Sequence, residues 1–232
     1  SRISIANPHP EKLARFAEAG VRAYTDNRSA ASGADLVILA VKPWILPDVA
    51  RELGSVIDFS TQEVTAIVAG VSCDDLCSLI RTDGLMPVLS VSMPNTAVAL
   101  GESMTFVVPA HGRPARAIDV FAGLGKVMEI PESQLGAATA LASCGIAYAM
   151  RYVRAAEEGG VELGFRAVDA RRIVVETLRG AASLLSREGA HPEAEIDKVT
   201  TPGGLTIRGL NAMEEAGFTS AVIAGLKASQ SR

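Results

Sequence analysis

The feature that most restricts the fold is a series of short apolar runs with helical stretches between them. "DLVILAV" (35–41), "EVTAIVAGV" (63–71) and "VLSVSM" (88–93) are β-rich, and the first is continuously apolar. A strand buried on both faces reads this way. "RISIA" and "VRAY" precede these runs, and "MTFVV" and "KVMEI" follow them. "PEKLARFAEAG" is an amphipathic helix closed by Gly20, and "RPARAIDVFAGLG" is another. Strands separated by helices require crossovers. The expectation is an α/β, Rossmann-like domain with a mostly parallel sheet.

From about residue 132 the β-rich runs stop, and Ala, Leu, Glu and Arg take over. "ESQLGAATALASCGIAYAMRYVRAAEEGG" reads as one long helix with many small residues, and "AVDARRIVVETLRGAASLLSRE" as a second. Two shorter helices follow. The expected division is 1–131 and 132–232. The second part has too few layers to bury its own faces, and 48% of the chain is hydrophobic. The excess apolar surface is therefore assigned to contacts between subunits.

Composition narrows the partners. No apolar run reaches the roughly 18 residues of a membrane span, and no signal peptide is visible. The net charge is −4 with scattered basic residues, which argues against nucleic acid and anionic membranes. Cys73, Cys77 and Cys144 make an odd count, which suggests reduced thiols in a cytoplasm. Cys73 and Cys77 read as semi-buried structural thiols. No metal site is expected, because His9, His111 and His191 lack ligand spacing.

In a doubly wound sheet, ligands sit beyond the carboxyl ends of the strands. Here those ends read "NPHPEK", "KP", Gly70 and "PNT". Each is weak alone: "AVKP" serves as a strand stop and "PNT" as a turn. Four on separate strands read better as a nucleotide crevice. NAD-selective proteins place an acid at the first of these ends. This chain has Asn7, a neutral donor that does not repel a 2′-phosphate, so NADPH is favoured over NADH. A dinucleotide fold also opens with a strand and a Gly-rich turn, and neither stands ahead of Asn7. Either an N-terminal unit lies outside this sequence or the fold does without it. On this reading the 232-residue chain alone binds NADPH poorly, which calorimetry would test.

The second half carries its own punctuation, "DKVTTPGGLTIRGL" (197–210). Pro202, Gly203 and Gly204 form a turn that opens into a helical segment. Two glycines at a helix entrance cost conformational entropy. Read alone, the stretch is an ordinary turn into a helix.

Seven segments in this order and spacing resemble the pyrroline-5-carboxylate reductase family: "NPHPEKL", "ADLVILAVKP", "VAGVS", "MPNTAVALGESMT", "LGKVMEI", "TALASCGIAYAMRYVRAAEEGGVELGF" and "HPEAEIDKVTTPGGLTIRGLNAMEEAGF". The last is the most specific. There are departures: the family's Ser-Gly-Ser-Gly-Pro-Ala-Tyr is "ASCGIAY" (142–148) here, and Ala97 follows "PNT" where Pro is usual. The resemblance implies a nicotinamide-binding first domain and a helical second domain that pairs with a second copy, as a dimer or an assembly of dimers. It implies reduction of 1-pyrroline-5-carboxylate, a small cyclic imino acid, to L-proline. The implied cofactor positions are Asn7, Asn27, Ala40, Val41, Lys42, Pro43, Ala69, Gly70, Pro94 and Asn95. Gly203, Gly204, Thr201 and Thr206 become a carboxylate clamp at a helix N-terminus, with Thr206 orienting the substrate or relaying a proton.

Other residues draw structural readings. Tyr148 lines a pocket or is core with its hydroxyl satisfied. His191 starts a helix. Glu157 and Glu158 read as a solvated pair, and Arg171 and Arg172 as a helix face. A β-hydroxyacid reductase of similar plan would need a lysine on the long helix, and residues 133–158 contain none. The other alternative, a non-catalytic oligomerisation or regulatory module, is opposed by the retained "AVKP", "MPNT" and "TTPGGLT".

Overall fold

The structure, a computed structural model, describes residues 2–68, 70–81 and 84–230. The chain divides into two compact units, 1–139 and 140–232.

The first unit is α/β. Strands β1 (Ser4–Ala6) and β2 (Arg22–Tyr24) pair in parallel. A second sheet orders β3 (Leu36–Leu39), β4 (Glu63–Ala66), β5 (Val88–Met93), β6 (Ser103–His111) and β7 (Gly125–Glu129) as neighbours. β3, β4 and β5 run parallel, β6 is antiparallel to β5, and β7 is parallel to β6. The reversal follows from the short 94–102 connection, which cannot make a crossover. The mostly parallel expectation holds, but the strands form two sheets rather than one. Among the described residues β1 pairs only with β2, and β3 only with β4.

Helices α1 (Ala14–Glu18), α2 (Asn27–Ala31), α3 (Leu46–Leu53), α4 (Cys73–Ile80) and α5 (Ala115–Ala122) lie between the strands. α3 shows why they dock. Leu46, Val49, Ala50 and Leu53 recur at helical spacing and are all buried, forming one apolar stripe. They join a core that includes Leu76, Ile80, Leu89, Val91, Val107 and Val108.

β4 is buried at every position, including Glu63. That carboxylate accepts the Arg116 N–H at 3.0 Å and the Ala117 N–H at 2.7 Å. It therefore satisfies two orphan donors at the start of α5 and locks helix to sheet.

The long helix expected from residue 132 is interrupted. A 3-10 turn (Glu132–Gln134) leads into α6 (Leu135–Ala138), then a π-helical segment (Thr139–Cys144), then α7 (Gly145–Glu162). The Thr139 hydroxyl donates to the Leu135 carbonyl at 2.7 Å, a side-chain bond that competes with the regular ladder. Of the residues that depart from the family's motif, Ala142, Ser143 and Cys144 fall in this widened turn, and Ile146 lies in the first turn of α7.

In the second unit, α8 (Ala167–Leu185), α9 (Pro192–Lys198), α10 (Leu205–Glu215) and α11 (Phe218–Ala228) follow α7. α7 and α8 approach closely through small residues. A Cβ at Gly160 would stand 2.8 Å from that of Ala170. The Tyr148 hydroxyl is bonded to Ser229 Oγ and, at 3.3 Å, to the Gly225 carbonyl, but the side chain is exposed rather than core. His191 is the N-cap residue of α9, with Pro192 in the first turn.

Glu157 corrects the solvated reading. It is buried, while Glu158 is exposed. Arg171 donates to both Glu157 oxygens, at 3.0 and 3.1 Å. The helical pattern hid this because the partner lies on the next helix. The Arg171 bonds hold the Glu157 carboxyl below its ordinary value. A depressed folded value adds stability that is present above the unfolded value and lost as pH falls through the folded one. Glu157→Gln should thus lower the Tm at neutral pH, with the gap to the parent closing on acidification. A pH series of thermal melts checks this.

Only Ala140, Glu157 and Ala170 are buried among the described residues of the second unit. Leu141, Met150, Leu163, Phe165, Val168 and Leu205 are each more than half exposed. An apolar surface of this extent marks an interaction site.

Candidate functional site

The first unit brings three of the four marked strand ends onto adjacent strands. Past β3, Ala40 is exposed and Val41 partly so. Lys42 is exposed, makes no ion pair among the described residues, and precedes a 3-10 turn with Pro43 at its start. Past β4, Gly70 is exposed with open space around it, and Ala69 lies outside the described residues. Past β5, Pro94 is half-buried and Asn95 is buried, its side-chain oxygen accepting the Ala97 N–H at 3.1 Å. A parallel sheet puts these three ends on one rim, the rim where ligands bind in open α/β sheets.

Asn7 and Asn27 belong to the smaller sheet and its helix. The Asn7 backbone N–H donates to the Tyr24 carbonyl at 3.1 Å, and its side-chain oxygen accepts the His9 N–H at 3.0 Å. Its acceptor is engaged locally, and its amide protons have no partner among the described residues. Asn27 starts α2 and donates through Nδ2 to Glu52 at 2.7 Å, so its role is tied to α3.

The start of α4 is closed to a phosphate. Glu132 Oε1 accepts the Cys73 N–H at 2.7 Å, and Ser72 and Asp75 form a reciprocal capping box. Asp74 adds another negative charge in the first turn. Glu132 was not singled out by the sequence, because no pattern links it to a helix 59 residues earlier. Burial, and Glu132 beside it, push the Cys73 thiol up to about 12. Burial likewise raises Cys77, so both are semi-buried structural thiols as expected. Iodoacetamide at neutral pH should alkylate both far more slowly in the folded protein than in urea, as peptide mass spectrometry would report.

The second unit assembles the Thr-Thr-Pro-Gly-Gly turn. The Gly204 N–H donates to the Thr201 carbonyl at 2.9 Å, folding the turn back on itself. Both glycines have local reasons. Gly203 has a φ of 69°, which disfavours side chains. At Gly204 an added Cβ would collide with the Thr201 hydroxyl and press on its carbonyl oxygen at 3.0 Å. α10 begins immediately after, with no side-chain cap and no acidic residue in its first turn. Thr206, the second residue of the helix, is exposed, and its hydroxyl has no partner among the described residues. An uncapped helix start offers unpaired N–H groups and a favourable dipole to an anion. Among the described residues no group of three or more His, Cys, Asp or Glu is placed to hold a metal ion.

Comparison with known proteins gives the class first. Residues 1–69 match the family model "NADP oxidoreductase coenzyme F420-dependent", and residues 132–232 match "Pyrroline-5-carboxylate reductase dimerisation". These define a nicotinamide-dependent oxidoreductase with a helical dimerisation region. Pyrroline-5-carboxylate reductase 1 of Dictyostelium discoideum is 40% identical over 234 residues, covering 92% of this chain and 41% of that protein. Pyrroline-5-carboxylate reductase 2 of the same organism is 35% identical over 225 residues, covering 90% and 75%. The chain thus spans less than half of the first relative and three quarters of the second. A solved structure of a pyrroline-5-carboxylate reductase from Coxiella burnetii aligns with a TM-score of 0.89 at 26% identity, covering 99% of this chain and 86% of that one. The chain belongs to the pyrroline-5-carboxylate reductase family.

Proposed function

We propose that the protein reduces 1-pyrroline-5-carboxylate to L-proline with NADPH, and that it works as a dimer or an assembly of dimers in the cytoplasm. The observation that carries the substrate reading is the uncapped, acid-free start of α10 behind the Thr201–Gly204 turn. It supplies unpaired backbone donors where a carboxylate can approach, and family membership gives that carboxylate its identity.

The strand-end residues fit a nicotinamide dinucleotide. Lys42 is a cation with no ion pair among the described residues, Ala40 and Gly70 leave the backbone accessible, and the acids at the start of α4 direct phosphates elsewhere. Asn7 offers a neutral amide donor, and among the described residues no ionised side chain is bonded to it, which supports NADPH over NADH. When bound, the nicotinamide supplies a hydride to the carbon of the C=N bond. The chain's own part is to bind and orient. On this reading the α10 start would hold the carboxylate, Thr206 would orient the imine or relay a proton to its nitrogen, and Lys42 would hold the cofactor electrostatically. No Schiff base is needed, because the substrate is already an imine.

The test is substrate-dependent loss of nicotinamide absorbance. Thr206→Ala removes a hydrogen bond to a charged group, worth about 1.5–3 kcal/mol. kcat/KM for the imino acid should fall roughly 10- to 150-fold, with NADPH affinity unchanged. A variant that weakened NADPH binding but left the substrate's KM and kcat alone would move the turn to the nucleotide site.

A further inference from the structure

Trp44 is the only tryptophan of the sequence, and it is 74% exposed. It stands one residue past "AVKP", on the 3-10 turn Pro43–Ile45 that follows β3 at the sheet rim. Its indole has no hydrogen-bond or ring partner among the described residues. A tryptophan left in water forfeits one of the largest apolar areas a side chain can bury. Ile45 beside it is 42% exposed, so the turn presents an apolar step next to the Lys42 cation.

The turn under the ring is rigid. Pro43 fixes its own φ. The Ile45 N–H donates to the Lys42 carbonyl at 3.0 Å, and the Leu46 N–H closes onto the Pro43 carbonyl. Leu46 is 1% exposed and anchors the start of α3 in the core. The backbone is thus held at both ends while the indole stands in solvent. A flat ring on a fixed base suits stacking on a nucleobase, because little freedom is lost on binding.

Its place along the rim selects one end of a dinucleotide. The 2′-phosphate sits on the ribose that carries adenine, and that ribose is assigned to Asn7, just past β1. α2 packs on β1 and also on α3, and Asn27 of α2 bonds Glu52 of α3 at 2.7 Å. The helix that starts at the Trp44 turn therefore lies on the Asn7 side of the first unit. β3 is the end strand of its sheet among the described residues, with β4 and β5 beyond it. We propose that Trp44 binds the adenine ring of NADPH face to face, with Lys42 beside it on the phosphates and the nicotinamide at the far end of the rim. The proposal rests on the reading of the strand ends as the cofactor site.

The experiment titrates the full-length protein with NADPH and with adenosine 2′,5′-bisphosphate, the adenine half alone. The bisphosphate does not absorb where tryptophan emits, so it quenches Trp44 only by contact. It should quench the parent's emission, and the quench should vanish in Trp44→Phe. By calorimetry, Trp44→Ala should raise the Kd of both ligands about 5- to 150-fold, the scale of one base–aromatic stack. Trp44→Phe keeps a ring and should hold both Kd values within about threefold. The imino acid's KM at saturating cofactor should stay within about twofold in both variants, and both should melt with the parent, since the ring is in solvent. A bisphosphate that binds without changing the emission overturns the proposal, as does an equal rise in Kd for the alanine and phenylalanine variants. So does a Trp44→Ala variant with the parent Kd and a smaller mass in light scattering, which would make Trp44 a contact between copies of the chain. Lys42→Glu separates the two readings. If it raises the NADPH Kd and Trp44→Ala does not, only the stacking role falls. If neither changes the Kd, the strand-end site falls with it.

Discussion

Replacing Gly204 with valine should lower kcat/KM for the proposed reduction of the imino acid by more than about 10²-fold. The reason lies within the turn. A Cβ at this position overlaps the Thr201 hydroxyl and presses on the carbonyl that the Gly204 N–H closes onto. Valine adds two methyl groups to that collision, so the Thr201–Gly204 turn must open. Opening it would displace the first N–H groups of α10 from the carboxylate proposed to bind there. Two displaced charge-assisted donors at about 1.5–3 kcal/mol each account for the size of the loss. NADPH affinity should stay at its parent value. Steady-state kinetics with both substrates varied, beside a cofactor titration, provide the check. A valine variant with parent-like kcat/KM would show that neither the turn nor the helix start touches the substrate.

The second large effect concerns assembly. Light scattering at micromolar concentration should give a mass of at least two chains, with an interface above the usual size of about 1,600 Å². Met150→Glu with Ile173→Glu should yield monomers. Both side chains are large, apolar and exposed, on α7 and α8. A carboxylate without a partner in a dry interface costs several kcal/mol, and two copies of each residue meet in a twofold assembly. A parent protein that remained a monomer would refute the reading, and so would a double variant that stayed a dimer with these faces covered.

The parts of the fold that were legible are those where one physical cause dominates. The β-rich runs "DLVILAV" and "VLSVSM" do form strands, although β3 leaves Ile38 exposed and β5 buries the polar Ser90 and Ser92. The Thr-Thr-Pro-Gly-Gly turn was visible because proline and glycine punctuate any chain, although the reasons for its glycines appeared only in three dimensions. Long-range polar partnerships were not legible. Glu157 looked like half of a solvated pair, because Arg171 approaches from another helix. Nothing local to Glu63 marks it for burial, which depends on two amides 53 and 54 residues away. The π-helical segment was hidden for a related reason. Small residues fit an α-helix equally well, so nothing in the pattern marks the widened turn.

The break between the two sheets has a consequence for local opening. β1 and β2 contribute three residues each and have no further strand beside them among the described residues. A two-stranded pair of this length is marginal alone, whereas β4 and β5 have partners on both sides. Amide exchange should therefore run fastest at β1 and β2 and slowest at β4 and β5, with the intermediate edges between them. Asn7 is anchored to the end of that weakest pair through Tyr24. The residue read as choosing between ribose forms thus sits on the first ground to give way. Protection factors there, more than the melting temperature, are where a bound dinucleotide leaves its mark.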